Sequence, residues 1–241
     1  DLAGVLEVRV AGGGLDDSLT VDASVTGGSL AVTFDAGHGN DTIHGPTPNS
    51  TWAVTGHGSG YVGAISFTGI EALVGAANNE DTFVIHDGGY ITSVHGNDAG
   101  FDTIVLEETT TAARYEVRGP DAGVITLNTG VVTYAGLEPV VIDGSVDFTL
   151  LATSGTDSVT ASPSAVDADR LVLDAPTMEL HDLETPSSSL TIDLGDGDDS
   201  LIINADVLAR IEAASATLAI LGGDGNDTIQ LDADIAGTWE I

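Results

Sequence analysis

The residues of this chain best suited to chemistry stand in Gly222-Gly223-Asp224-Gly225-Asn226-Asp227-Thr228-Ile229-Gln230, which follows the pattern Gly-Gly-x-Gly-x-Asp-x-apolar-x at every defined position. Ala36-Gly37-His38-Gly39-Asn40-Asp41-Thr42-Ile43-His44 departs from it once, at Ala36, and Leu194-Gly195-Asp196-Gly197-Asp198-Asp199-Ser200-Leu201-Ile202 once, at Leu194. Glycine tolerates backbone angles closed to other residues, so a short loop of this kind can turn its carbonyl oxygens inward. The aspartate carboxylates join them, and the apolar residue two places after the last aspartate anchors the following strand. Such a set of hard oxygens suits Ca2+, which takes roughly six to eight of them. Without a cation the gathered carboxylates repel one another, which couples metal binding to folding. The candidate ligands are Gly222, Asp224, Asn226 and Asp227; Gly195, Asp196, Asp198 and Asp199; Gly37, Gly39, Asn40 and Asp41; and, from looser copies of the loop, Asp17 and Asp102.

These loops belong to a longer repeat. An Asp-[Ser/Thr]-apolar triplet begins at Asp17, Asp41, Asp81, Asp102, Asp157, Asp199 and Asp227. Several intervals lie near about 21 residues or twice that, and a coil of roughly 20–28 residues is the expected unit of a β-solenoid, in which each turn of chain stacks on the last. A second element, Phe67-Thr68-Gly69-Ile70-Glu71-Ala72-Leu73, recurs as Tyr134-Ala135-Gly136-Leu137-Glu138-Pro139-Val140 and, more faintly, as Leu180-His181-Asp182-Leu183-Glu184-Thr185. Single glycine loops are separated by whole coils, so ion sites form only where neighbouring coils stack with their loops in register. Asp199 with Asp227, and then Asp17 with Asp41, are the pairs one coil apart.

The elements that must position these loops read as β. Glycine makes up 31 of 241 residues, and short runs rich in Val, Ile and Thr, such as Ser18–Val21 and Ala122–Leu127, alternate with Gly, Asn and Asp. The expected fold is all-β, a right-handed parallel β-helix or β-roll solenoid with irregular coils. Helix signals are poor: the best candidate is 206–216, where Val207, Leu208 and Ile211 have helical spacing, but the strand-like Leu218–Leu221 after it weighs against a helix there. Residues 1–241 read as a single elongated domain, a piece of a larger protein, with module boundaries near 108–120 and 185–190.

The three glycine loops resemble those of the RTX (repeats-in-toxin) family of calcium-binding bacterial exoproteins, and their scattered arrangement is similar to that of large repetitive bacterial surface adhesins. The resemblance covers about a quarter of the chain. It implies that each glycine turn and its short strand form half a coil of a parallel β-roll, with ions between successive turns along one edge. It also implies export in an unfolded state, folding where calcium is millimolar, and a secreted location at the bacterial cell surface. Here the chain departs from the family, whose nonapeptides run in tandem.

Charge points the same way. Asp and Glu number 38 against five basic residues, all arginine, for a net charge of −33, yet the apolar fraction of 42% is that of a folding chain. Acidic disordered chains pair high charge with low hydrophobicity, so this compact state needs cations to offset its self-repulsion; high external salt is the bland alternative. Nucleic acid and anionic membrane surfaces would be repelled, and no apolar run approaches the roughly 18 residues of a membrane span. The absence of cysteine excludes disulfides and thiolate metal sites. The expected partners are calcium ions, neighbouring domains of the same chain, and host or matrix glycans, for which Trp52, Tyr61, Tyr90 and Trp239 offer flat apolar faces.

Other patterns are set aside on physical grounds. Gly58-Ser59-Gly60-Tyr61-Val62-Gly63 satisfies Gly-x-Gly-x-x-Gly, but Ala64–Thr68 reads as strand where a dinucleotide site needs a helix. The six histidines include no His-Glu-x-x-His pair and read as loop and turn residues. Arg114 and Arg118 suit the basic residues of a calcium-dependent polysaccharide lyase or epimerase on a parallel β-helix, the rival to a structural or adhesive module that is not an enzyme. Surface ion pairing is the simpler use for two arginines without a cleft signature, and no catalytic residue is assigned.

Overall fold

Alternation of apolar and polar residues, interrupted by glycine turns, produces a chain that is nearly all strand. The computed structural model describes residues 7–26, 30–107, 112–144, 146–167 and 169–232. It divides into two compact units, residues 1–107 with 129–138, and residues 108–128 with 139–241.

In the first unit the chain builds two sheets. One runs, in spatial order, Glu7–Gly14, Ala31–His38, Ile65–Thr68, Ser59–Val62, Thr51–Gly56, Thr82–Ile85 and Thr103–Glu107; the other runs Ser18–Thr20, Thr42–His44, Ala72–Val74, Ser93–His95 and Gly130–Ala135. Register places like on like at the inward positions. Ile43 lies opposite Leu73, Leu73 opposite Val94, and Val94 opposite Tyr134. On the other sheet Trp52 lies opposite Phe83, and Phe83 opposite Ile104, with the Trp52 and Phe83 rings stacked at 5.5 Å. All of these are buried, and each fully buried large apolar side chain contributes about 1.5–3 kcal/mol.

The second unit repeats the plan. One sheet runs Val140–Asp143, Met178–Glu184, Arg170–Ala175, Ser158–Pro163, Ser200–Asn204 and Thr228–Asp232; the other holds Ala122–Leu127, Ala112–Gly119, Asp147–Leu151, Ser189–Asp193 and Thr217–Leu221. Contrary to the weight of the sequence reading, the helix candidate is a helix, Ala205–Ala214, and the strand-like run follows it as the strand Thr217–Leu221. The Asn204 side chain caps it by accepting from the Asp206 N–H, Ser215 ends it in the left-handed conformation, and Val207, Leu208 and Ile211 are its buried face. Among the described residues no helix is long and apolar enough to cross a membrane.

The sheets are rich in parallel pairs but not wholly parallel. Thr51–Gly56, Ser59–Val62 and Ile65–Thr68 form an antiparallel meander, as do Ser158–Pro163, Arg170–Ala175 and Met178–Glu184. Ala112–Gly119 and Ala122–Leu127 form a further antiparallel hairpin. The Phe67–Leu73 and Leu180–Thr185 copies of the second sequence repeat stand where a meander ends and the parallel path resumes. Gly58, at φ +54°, turns the first hairpin, and the run after Gly63 is strand.

Candidate metal centre

The strand Ser189–Asp193 leads through the turn 194–199 into Ser200–Asn204; further along the chain Thr217–Leu221 leads through 222–227 into Thr228–Asp232. The flanking strands pair in register on both sides, Asp193 opposite Leu221 and Ser200 opposite Thr228, so one turn lies on the other. The Gly197 N–H donates to the Asp224 carbonyl at 2.8 Å, and the Leu194 N–H to the Leu221 carbonyl at 2.9 Å. Only glycine fits this contact. Gly225 sits at φ +148°, and a Cβ there would come 1.7 Å from the Gly197 carbonyl oxygen. Asp198 Oδ1 accepts from the Asn226 N–H at 2.9 Å and from its side-chain amide at 3.1 Å, bonds that hold the Asp198 pKa below the usual range. Asp196 and Asp224 are exposed.

The Asp17 and Asp41 turns repeat this stacking. Gly13 lies opposite Gly37 and Ser18 opposite Thr42, and the Asn40 N–H donates to Asp16 Oδ1 at 2.9 Å, as Asn226 does to Asp198. Gly39 crowds the Leu15 carbonyl, which a Cβ would approach to 2.4 Å.

A ladder of carboxylates ties neighbouring turns together. Oδ1 of five of the aspartates accepts the backbone N–H of the matching residue of the adjacent, earlier turn: Asp41 from Asp17 at 2.7 Å, Asp81 from Ser50 at 2.7 Å, Asp102 from Asp81 at 2.6 Å, Asp199 from Asp157 at 2.7 Å and Asp227 from Asp199 at 3.1 Å. The seven aspartates do not form one column. Asp17 and Asp41 precede strands of one sheet of the first unit, Asp81 and Asp102 precede strands of its other sheet, and Asp157, Asp199 and Asp227 stand in the second unit.

The second carboxylate oxygen differs from turn to turn. At Asp17, Asp41 and Asp199 Oδ2 is enclosed and has no hydrogen-bond partner, whereas Asp227, in the turn that matches the nonapeptide throughout, is half-buried. At Asp157 the Thr153 N–H and hydroxyl donate to Oδ2 at 2.9 and 2.8 Å, and the Thr177 hydroxyl donates to Oδ1. At Asp81 the Ala76 N–H donates to Oδ2 at 3.2 Å. A carboxylate oxygen shut away from both water and donors is costly unless a cation meets it. Burial pushes the Asp199 pKa up, and the charges of Asp157, Asp227 and Asp198 push it further. Burial, with repulsion from Asp81 and Glu80, raises Asp102 to about 6. Hard oxygens and clustered negative charge are the donor chemistry that Ca2+ favours. Among the described residues no group of three or more His, Asp or Glu side chains is placed to hold a metal ion by itself.

Comparison with protein-family models, curated proteins and solved structures finds no match.

The remaining candidates divide. Arg114 and Arg118 both pair with Glu116, at 3.4 and 2.5 Å. Trp52 is wholly buried and presents no face to a glycan, because its inward strand position places it in the core. Tyr61 is half exposed, Tyr90 packs beside His57 at 5.3 Å, and Trp239 lies outside the described residues. His181 is not a loop residue. It is fully buried in Met178–Glu184, its Nε2 3.2 Å from Oε1 of the equally buried Glu179 and its ring edge-on to Tyr115. Burial raises Glu179 to about 8 and lowers His181 to about 4, so both are neutral near pH 7. Nothing in the sequence patterns marked this pair.

Proposed function

We propose that the chain is a calcium-stabilised structural and adhesive module of a secreted bacterial surface protein, a right-handed β-solenoid whose glycine turns hold ions between coils. The observation that carries this reading is the enclosed, unpartnered Oδ2 of Asp17, Asp41 and Asp199 in turns stacked in register. The net charge of −33 supports it, because a compact chain with five arginines needs external cations. Free ion about 1,000-fold above its dissociation constant adds about 4 kcal/mol, a large part of a typical total of roughly 5–15 kcal/mol. In the rival reading as a lyase the arginines would meet an acidic polymer, and both are already engaged by Glu116.

Circular dichroism in excess chelator, at low and then molar NaCl, tests the proposal. The expected result is a large fall in melting temperature without calcium and recovery when it is restored. An unchanged spectrum and melting temperature in chelator would overturn it, and full rescue by NaCl alone would replace a specific site with general screening.

A further inference from the structure

We infer that Glu71 is a cation ligand of the Gly37–Asp41 turn, standing on the rung that an aspartate fills elsewhere; this rests on the calcium reading above. Glu71 belongs to the Phe67–Leu73 element and to none of the glycine nonapeptides. The fold nevertheless lays its turn on Gly37–Asp41. The Glu71 and Ala72 N–H groups donate to the Asp41 carbonyl at 3.1 and 3.0 Å. Gly69, at φ +71°, packs against Gly37, where a Cβ would come 2.9 Å from the backbone nitrogen. Thr42 lies opposite Ala72, as Ser18 lies opposite Thr42.

The carboxylate takes the matching place. Glu71 Oε2 accepts the Asp41 N–H at 2.8 Å, the bond that Asp41 Oδ1 makes to Asp17 and Asp227 Oδ1 makes to Asp199. Between these rungs Asp41 is completely buried, and its Oδ2 has no donor. Asp17, Asp41 and Glu71 thus put three carboxylates on three successive turns, and among the described residues none of the three is in an ion pair. A hydrogen-bond acceptor alone would explain Oε2. A neutral glutamine or asparagine would serve that purpose without adding a third negative charge beside a buried carboxylate. A divalent cation explains why the acid stands there.

Glu71→Gln separates these roles, since the amide oxygen still accepts the Asp41 N–H while the charge is removed. Calcium titration by calorimetry is compared among the parent, Glu71→Gln and Glu184→Gln, whose glutamate accepts the Gly144 N–H away from any glycine turn. The expected result is a loss of one ion, or at least tenfold weaker binding of one class, in Glu71→Gln alone, with its melting temperature in chelator equal to or above the parent's. Parent-like titration of Glu71→Gln would overturn the assignment of Glu71 and leave the calcium reading standing. A parent that binds no calcium would overturn both. If Glu71→Gln does not fold, Glu71→Asp decides: weaker binding of one ion by the folded variant, whose carboxylate is withdrawn by one methylene, supports the assignment, and parent-like titration overturns it.

Discussion

Asp199→Asn should stabilise the protein in chelator and destabilise it in calcium. The asparagine amide oxygen can still accept the Asp157 N–H, which Asp199 Oδ1 holds at 2.7 Å, so the ladder survives while the charge is lost. The folded pKa of Asp199 is raised, first by burial and then by Asp157, Asp227 and Asp198. A raised carboxyl contributes stability that is present below its unfolded value of 3.8 and lost as pH rises through the folded one. At pH 7 the ionised carboxylate is therefore a cost in the metal-free protein, and neutralising it helps. With calcium the balance turns. Ion binding contributes about 4 kcal/mol at a 1,000-fold excess over the dissociation constant, and a site that loses a buried carboxylate forfeits much of that. Asp199→Ala provides the scale. It also strands the Asp157 N–H, so it should lie about 1–3 kcal/mol below Asp199→Asn in both media. Urea unfolding followed by far-UV circular dichroism at pH 7, in chelator and in millimolar calcium, measures all three proteins. A variant effect of the same sign in both media would refute the reasoning.

Three further outcomes follow from the same geometry. Gly225→Ala should cost about 1–3 kcal/mol, because its Cβ would meet the Gly197 carbonyl oxygen at 1.7 Å and force the stacked turns apart; a melting temperature equal to the parent's would contradict this packing. Arg170→Met should cost about 3 kcal/mol, since the largely buried guanidinium pairs with Asp143 and Asp182 at 2.5 Å each and also donates to the Ile142 and Asp182 carbonyls; denaturant unfolding near neutral pH checks it. Glu179, raised by burial to about 8 from 4.5, contributes stability that is present below pH 4.5 and lost as pH rises through about 8. The parent should therefore lose stability relative to Glu179→Gln between pH 5 and 8, and parallel pH profiles for the two proteins would refute the burial argument.

Much of this architecture was legible in sequence, and what was not has identifiable causes. Glycine spacing revealed the three sharp loops and the pairs Asp199–Asp227 and Asp17–Asp41, because the glycines that make the turns also permit their stacking. The helix Ala205–Ala214 showed in the spacing of Val207, Leu208 and Ile211, but the strand-like run after it weighed against a helix, because one turn is enough to pass from one to the other. The meanders were not, since parallel and antiparallel strands share one alternation, and only the pairing distinguishes them. Asp17 and Asp41 stand where the chain passes from the first sheet of the first unit to the second, and Asp81 and Asp102 where it passes back, so regular intervals along the chain do not translate into one column of aspartates. Glu71 escaped notice because its turn lacks the nonapeptide glycines, although the repeated Gly-apolar-Glu was the available signal. Glu179 and His181 occupy the inward side of their strand, against the rule that charged positions face water, and no local pattern announces such an exception.

Calcium binding itself tests the account most directly. After exhaustive removal of metal, calorimetric titration of the whole chain with CaCl2 at physiological ionic strength should show at least two ions bound per chain at or below millimolar concentration, one for each in-register pair of glycine turns, with magnesium unable to replace them. No saturable calcium binding up to several millimolar, in a chain already folded in chelator, would contradict it.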